Sequence, residues 1–237
     1  MKKLILLFLF LPLLSLGQNQ TIAEETKFAV GFCFSPEYSY RYLQTDIDSI
    51  KFVKLISDTT ETADFGFATG ISVLYKLNSR FVIESGLLYS KKGYKNIATK
   101  LNAFDPNDPL IPQKISIYYT YSYFSIPLKL NYILLDKRLK LYVSAGISAN
   151  FFIKGRTKTE SEYSGKTNIT YLDADNDKFS KLNVELLAGL GADYDINRHF
   201  KLRLEPIFRR SLSPLSDSDI KTYLYSGGLN LGVYYKF

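Results

Sequence analysis

One cysteine and one histidine in 237 residues remove several kinds of chemistry at once. Cys33 alone cannot close an intramolecular disulfide, and its strand-like surroundings make it a small buried filler. His199 sits in a short polar turn, far from every long connection. With it goes the general base of a Ser-His or Cys-His enzyme. One histidine and one cysteine on different elements also serve zinc poorly. Long apolar runs are as scarce. Leu4 to Leu14 is the longest, is broken by Pro12, and is too short to span a membrane as a helix. No later stretch approaches the roughly 20 apolar residues that such a helix needs. No catalytic, cofactor-binding or metal-binding residue is assigned, and no cofactor is expected.

What is present begins with an export signal. Lys2 and Lys3 precede the apolar run, and Ser15-Leu16-Gly17 supplies small residues where a signal peptidase reads. Cleavage is expected before Gln18, with 1–17 as signal peptide and 18–237 as one domain. The junction carries no cysteine for a lipid anchor. Losing Lys2 and Lys3 takes the formal charge from +7 to +5. In an exported protein that mild excess suits an anionic surface better than nucleic acid.

The remaining sequence alternates with a period of two, which is the signature of strands. Phe28, Val30, Phe32 and Phe34 oppose Ala29, Gly31, Cys33 and Ser35 in a first strand running to about Tyr42. Seven more follow, near 65–77, 81–95, 115–134, 141–154, 182–195, 200–209 and 223–237. The connections are long (43–64), short (78–79), long (95–114), short (136–138), long (155–178), short (197–199) and medium (213–221). The third long one is expected to be polar loop throughout. Asp105-Pro106-Asn107-Asp108-Pro109 in the second cannot be ladder. Short turns on one side and long loops on the other, with an even strand number, are the pattern of outer-membrane barrels.

Aromatic spacing gives an independent check. Phe67 and Tyr75, Phe81 and Tyr89, Phe124 and Tyr132, and Phe200 and Phe208 are pairs eight residues apart on the apolar parity. Eight residues on a strand tilted by about 40° cover roughly 20 Å of membrane normal. Aromatic girdles flank an apolar band of about 25 Å. The expected fold is therefore all-β, an eight-stranded antiparallel up-and-down transmembrane β-barrel. The alternative is a soluble lipocalin-like barrel with the apolar row facing a ligand cavity. Glycines on the polar row, among them Gly70, Gly86, Gly146 and Gly191, suit a narrow interior filled by side chains. Pro36, Pro127 and Pro206 lack the amide proton a closed ladder uses, so bulges are expected there.

Inside such a barrel the polar row brings Glu84, Lys129, Glu185, Asp193, Lys201, Arg203 and Glu205 towards one axis. Desolvated charges must pair, so a salt-bridged plug is expected, with a proton or ion pathway as the alternative. Asp173, Asp175 and Asp177 have the 1, 3, 5 spacing of a calcium loop. Lys178 stands where that loop wants glycine and Val184 where it wants glutamate. A solvated acidic loop fits better. Lys91, Lys92, Lys95, Lys154, Arg156, Lys158, Arg209 and Arg210 gather where strands leave the outer surface, suited to lipopolysaccharide phosphates.

The closing stretch Tyr223 to Phe237, ending on a phenylalanine, resembles the last strand of bacterial outer-membrane barrels, whose terminal aromatic helps the insertion machinery recognise the chain. Gly70-Ile71-Ser72-Val73-Leu74-Tyr75, Glu84-Ser85-Gly86-Leu87-Leu88-Tyr89, Ile126-Pro127-Leu128-Lys129-Leu130 and Ala188-Gly189-Leu190-Gly191 resemble the strand signatures of the PorT-like group. That resemblance implies the outer membrane and this fold; with no site residue assigned, the chain is expected to be a non-enzymatic outer-membrane barrel with a structural or interaction role through its extracellular loops. Its expected partners are outer-membrane lipid, lipopolysaccharide and proteins of a secretion or envelope complex. A membrane-embedded enzyme, a narrow channel and a small-ligand barrel are the competing readings.

Overall fold

The computed structural model describes residues 27–47, 51–96, 99–100, 111–163 and 166–237. The expected signal peptide and the Asp105–Pro109 turn cluster lie outside these residues. The described elements are β1 (Phe28–Gln44), α1 (Lys51–Thr60), β2 (Glu61–Lys76), β3 (Phe81–Asn96), β4 (Thr99–Lys100), β5 (Lys114–Leu135), β6 (Leu139–Tyr163), β7 (Lys166–Asp173), β8 (Leu182–Asp195), β9 (Phe200–Ser211) and β10 (Lys221–Lys236).

Eight of the strands close a ring, β1-β2-β3-β5-β6-β8-β9-β10, with β10 pairing back onto β1 and β5 onto β6. Every ladder is antiparallel. Closure leaves no free edge through the barrel wall, the condition for a sheet to cross lipid. The two faces sort by sequence parity. Mid-strand residues on the apolar row point out, with Ile71 58 %, Leu87 56 %, Leu128 53 % and Leu190 63 % exposed. Ser39, Ser226 and Glu205 on the polar row are 0 % exposed. That arrangement is the reverse of a lipocalin, and the soluble alternative is set aside.

The aromatic spacing becomes two rings of contacts. Towards the short turns, Phe28 meets Tyr75, Phe81 meets Tyr132 and Phe200 meets Tyr235, with centroids 4.7, 5.2 and 5.5 Å apart. Towards the long loops, Phe34, Phe67, Tyr89 and Phe124 form a chain across four neighbouring strands at 6.1–6.3 Å.

Three expectations need correction. Pro36, Pro127 and Pro206 produce no bulge. Register runs unchanged past each, and two ladder pairs drop out on one side: between Phe34/Leu231 and Glu37/Gly228, between Ser85/Leu128 and Leu88/Ser125, and between Gly189/Ile207 and Ala192/Leu204. A missing N–H costs local pairing but shifts nothing when the opposite ladder holds the strand. The register shifts lie instead at Ala63/Phe67, Ser122/Tyr123 and Ile133/Leu135, near the barrel rims.

The third long connection is also not loop throughout. β6 continues to Tyr163 and hairpins into β7, whose partners run from Arg156/Asp173 to Tyr163/Lys166. With β4 on the outer end of β5, this makes a four-stranded sheet, β4-β5-β6-β7, that rises past the barrel. All of β7 is exposed, so neither face needed an apolar row, and the period-two signal was absent. Threonine-rich polar strands wet on both faces read as loop from sequence. In the first connection, α1 forms and β2 starts at Glu61, four residues earlier than expected.

Candidate functional site: a paired interior and a basic rim

The barrel interior is a ledger of charges that closes. Five carboxylates, Glu37, Glu84, Glu185, Asp193 and Glu205, meet five cations, Lys92, Lys129, Lys201, Arg203 and Arg209. All seven charged residues expected on the inner row are there.

Nearer the short turns, Arg203 donates through Nε and Nη2 to Asp193 at 2.7 and 2.9 Å and through Nη1 to Glu84. Its guanidinium lies 4.6 Å from the Tyr142 ring centroid and 5.3 Å from that of Tyr234. Lys129 bridges Glu84 and Glu205 at 3.0 and 2.8 Å. Ser144 and Asn230 donate to the remaining lone pairs of Glu205, and Asn131 to Glu84. Higher up, Lys92 binds both oxygens of Glu185 at 2.5 and 2.7 Å, and Arg209 binds Glu37 at 2.8 Å. Buried charges are tolerated when each is matched and its spare lone pairs are satisfied, and here they are.

Lys92 and Arg209 correct the expectation that they flank the outer surface. Both are buried in this network. Parity carried the signal: Lys92 follows Glu84, Leu88 and Ser90 on the inner row, and Arg209 follows Arg203 and Glu205. Nearness to a strand end misled. Glu37 and Arg41 were missed for a related reason, since they lie on the inner row of β1 beyond its apolar portion.

The mouth on the long-loop side is sealed by rings. Tyr121, Tyr123, Leu215 and Leu224 pack with Tyr94, Tyr119, Phe152 and Phe179, drawing the loops around 179 and 215 into the barrel. Phe152 and Phe179 stack at 5.0 Å. Arg41 crowns this end, pairing with Asp58 of α1 at 2.6 Å and Glu61 at 2.5 Å. Within the network is a cavity of about 10 Å³, lined by Cys33, Ser35, Ser72, Glu84, Lys129 and Arg209 among others. That volume admits about one water. A small-ligand chamber is not present there. Cys33 is buried and its thiol donates to the Gly70 carbonyl at 3.6 Å, as a filler would.

Remaining candidates take structural places. His199 stacks on Tyr235 at 5.6 Å, and its backbone N–H donates to Asn197 within the β8–β9 turn. Asp173 is held by Arg156 at 2.8 Å and Lys154 at 3.6 Å, while Asp175 accepts from the backbone of Asp177. Among the described residues no three His, Cys, Asp or Glu side chains converge as a metal site.

On the outside, directly above the upper aromatic chain, cations line up in cross-strand rows. Lys91 of β3, Ser122 of β5 and Lys154 of β6 share one row. Thr120 and Arg156 share the next, and Lys95, Tyr118 and Lys158 the one above. Lys95 and Lys158 lie 5.8 and 5.0 Å from the Tyr118 ring. The Arg156 hydrogen bond holds the Asp173 carboxyl below its usual value, and the Lys158 hydrogen bond does the same for Glu160.

A closed ring of eight strands, apolar outside, ion-paired inside and girdled twice by aromatics, defines an integral outer-membrane β-barrel. The chain belongs to the outer membrane protein beta-barrel domain family, whose model matches residues 17–219. No curated protein matches it. Solved structures that resemble it include Neisserial surface protein A (16 % identity, TM-score 0.45, 89 % of this chain and 97 % of that one). Others are Ail, the attachment invasion locus protein of Yersinia pestis (15 %, 0.40, 89 % and 99 %), and OprG of Pseudomonas aeruginosa (16 %, 0.40, 90 % and 96 %).

Proposed function

We propose that the protein is a closed, non-enzymatic scaffold of the outer membrane whose working surface is the projecting sheet β4-β5-β6-β7, there to engage protein partners of a secretion or envelope complex. The observation that carries this reading is the matched interior beneath an aromatic seal. Among the described residues the ten interior charges pair with one another, and His199 stacks on Tyr235 in a short turn, which supports a filled, non-catalytic interior. The projecting sheet, by contrast, ends in an exposed strand that no other described strand covers, with Ile169, Tyr171 and Leu172 all open to solvent. An uncovered edge of this kind pairs readily with another chain. The resemblance of its strand stretches to those of the PorT-like group supports a place near secretion machinery.

Two measurements test it. In planar bilayers the purified barrel is expected to give no discrete conductance steps; regular steps would replace the scaffold with a narrow channel. In intact cells, a photo-crosslinking residue at Ile169 or Tyr171 should form a discrete protein adduct that the same probe at Ser79, in a short turn, does not. Equal adducts at both positions, or none at β7, would overturn the partner role.

A further inference from the structure

The basic rows above the upper girdle have a geometry that solvated strand flanks do not require. Lys91 and Lys154 lie in one cross-strand row on either side of Ser122. At about 4.8 Å between strands their backbones are roughly 10 Å apart, and Ser122 between them is buried beneath its neighbours. Tyr89 from the girdle donates to the Ser122 hydroxyl at 3.0 Å, which ties the lysine row to the aromatic row beneath. One row up, Arg156 is the cross-strand neighbour of the half-buried Thr120. Five cations, Lys91, Lys95, Lys154, Arg156 and Lys158, share this outward face with three carboxylates. Asp64 is 3.6 Å from Lys95, Glu160 is 2.5 Å from Lys158, and Asp173 is shared by Arg156 and Lys154. Lys91 has no carboxylate within salt-bridge distance among the described residues.

We propose that this outward face of β3, β5 and β6 binds the phosphates of a phosphorylated acyl glycolipid of the outer leaflet, with Lys91 and Lys154 clasping one phosphate and Arg156 a second. Charge complementarity selects an anion, and guanidinium and ammonium donors suit phosphate oxygens. Continuity with the barrel's lipid surface selects a lipid-borne one. Phe67 is the direct cross-strand neighbour of Lys91, and Tyr89, Phe124 and Phe151 form the row two residues below. Two residues along a tilted strand are about 5 Å of membrane normal. A ligand here therefore meets cations at headgroup height and aromatic rings at the height where acyl chains begin. Arg156 has donors to spare, since only its Nε is committed to Asp173.

The proposal rests on the outer-membrane reading, and a heat-dependent gel shift of each variant checks that reading separately. The barrel is folded in a zwitterionic detergent and titrated with a bisphosphorylated acyl glycolipid, its dephosphorylated form with the same chains, and inorganic phosphate. Bound lipid is counted by native mass spectrometry. The wild type should retain the bisphosphorylated lipid, and Lys91→Gln with Lys154→Gln should weaken retention at least about tenfold, the loss of charge-assisted contacts. Lys137→Gln, in a turn at the opposite end, should change nothing. Equal retention of the dephosphorylated lipid, or undiminished binding by the folded double variant, overturns the site. Inorganic phosphate that binds as well as the lipid, with the same lysine dependence, overturns the assignment to a lipid.

Discussion

Replacing Arg203 by methionine removes one charge from the paired interior while leaving an unbranched apolar chain between Tyr142 and Tyr234. Arg203 is 4 % exposed, and its guanidinium makes two hydrogen bonds to Asp193 and one to Glu84. Stripping the cation from a buried pair costs about 3–5 kcal/mol, because a desolvated carboxylate is left behind. Both carboxylates keep a second cation, Asp193 through Lys201 at 3.2 Å and Glu84 through Lys129 at 3.0 Å. The loss should therefore fall at the lower end, about 3 kcal/mol. Adding Glu84→Gln restores the balance of charge: Lys129 retains Glu205 and Asp193 retains Lys201. The double variant should recover about 1–2 kcal/mol of the deficit, a coupling of the size neighbours in one network show. Urea unfolding in phosphocholine vesicles, followed by the gel mobility of folded and unfolded chain, measures Arg203→Met, Glu84→Gln and the double variant. An Arg203→Met loss under about 1 kcal/mol, or a Glu84→Gln effect that simply adds to it, would refute a charge-matched interior.

Other expectations follow from single contacts. A Cβ on Gly191 would drive into the Tyr142 ring, so Gly191→Ala should destabilise by about 1–3 kcal/mol. Gly227→Ala, with open space around it, should lose no more than about 1 kcal/mol in the same assay. Arg41→Gln removes the cation that holds Asp58, so trypsin should cut at Lys51 and Lys54 several-fold faster than in the wild type. Asp173 and Glu160 titrate below their ordinary values; Asp173 ties β7 to Arg156 of β6 and Glu160 ties β6 to Tyr118 of β5, so both support the projecting sheet fully above the usual carboxylate range. That support goes as pH falls through the lowered values. Hydrogen exchange in β7 should be unchanged between pH 7 and about 5, once corrected for intrinsic rate, and faster only below about 4.

The barrel was legible because lipid imposes one rule on every spanning strand. Outward residues must be apolar, so Ile71, Leu87, Leu128 and Leu190 alternate with small or charged partners and the period of two survives. The same rule found the seven charges that the interior gathers. It also placed Lys92 and Arg209 inside, had parity been followed past the point where the apolar row ends. Above the membrane the rule lapses. Thr157, Thr159, Thr167 and Thr170 build ladder with water on both faces, and nothing in their hydropathy separates them from loop. Nor does parity reveal that Phe179 and Leu215, from two connections, fold back to seal the mouth. Such contacts depend on loop paths that local pattern does not encode.

The charges inside have a use beyond filling space. An apolar interior of equal volume would often be as stable or more so, because burying paired ions gains little. It would also make both rows of every strand apolar. A one-residue slip would then exchange two equivalent faces, and register would rest on the turns alone. With Lys129 and Arg203 on the inner row, the same slip drives a cation into hydrocarbon, at about 2–4 kcal/mol each near the midplane. It also strands Glu84, Asp193 and Glu205 without partners. Several ion pairs join strands that are not sequence neighbours, β5 to β9 through Lys129 and Glu205, β3 to β8 through Lys92 and Glu185, and β1 to β9 through Glu37 and Arg209, while Asp193 pairs with Arg203 and Lys201 across the adjacent β8 and β9. A wrong register in β1, β3, β5, β8 or β9 therefore breaks ion pairs across the barrel, and β2, β6 and β10 are tied to the same carboxylates by the hydrogen bonds of Ser72, Ser144 and Asn230, which couples the eight strands into one alignment.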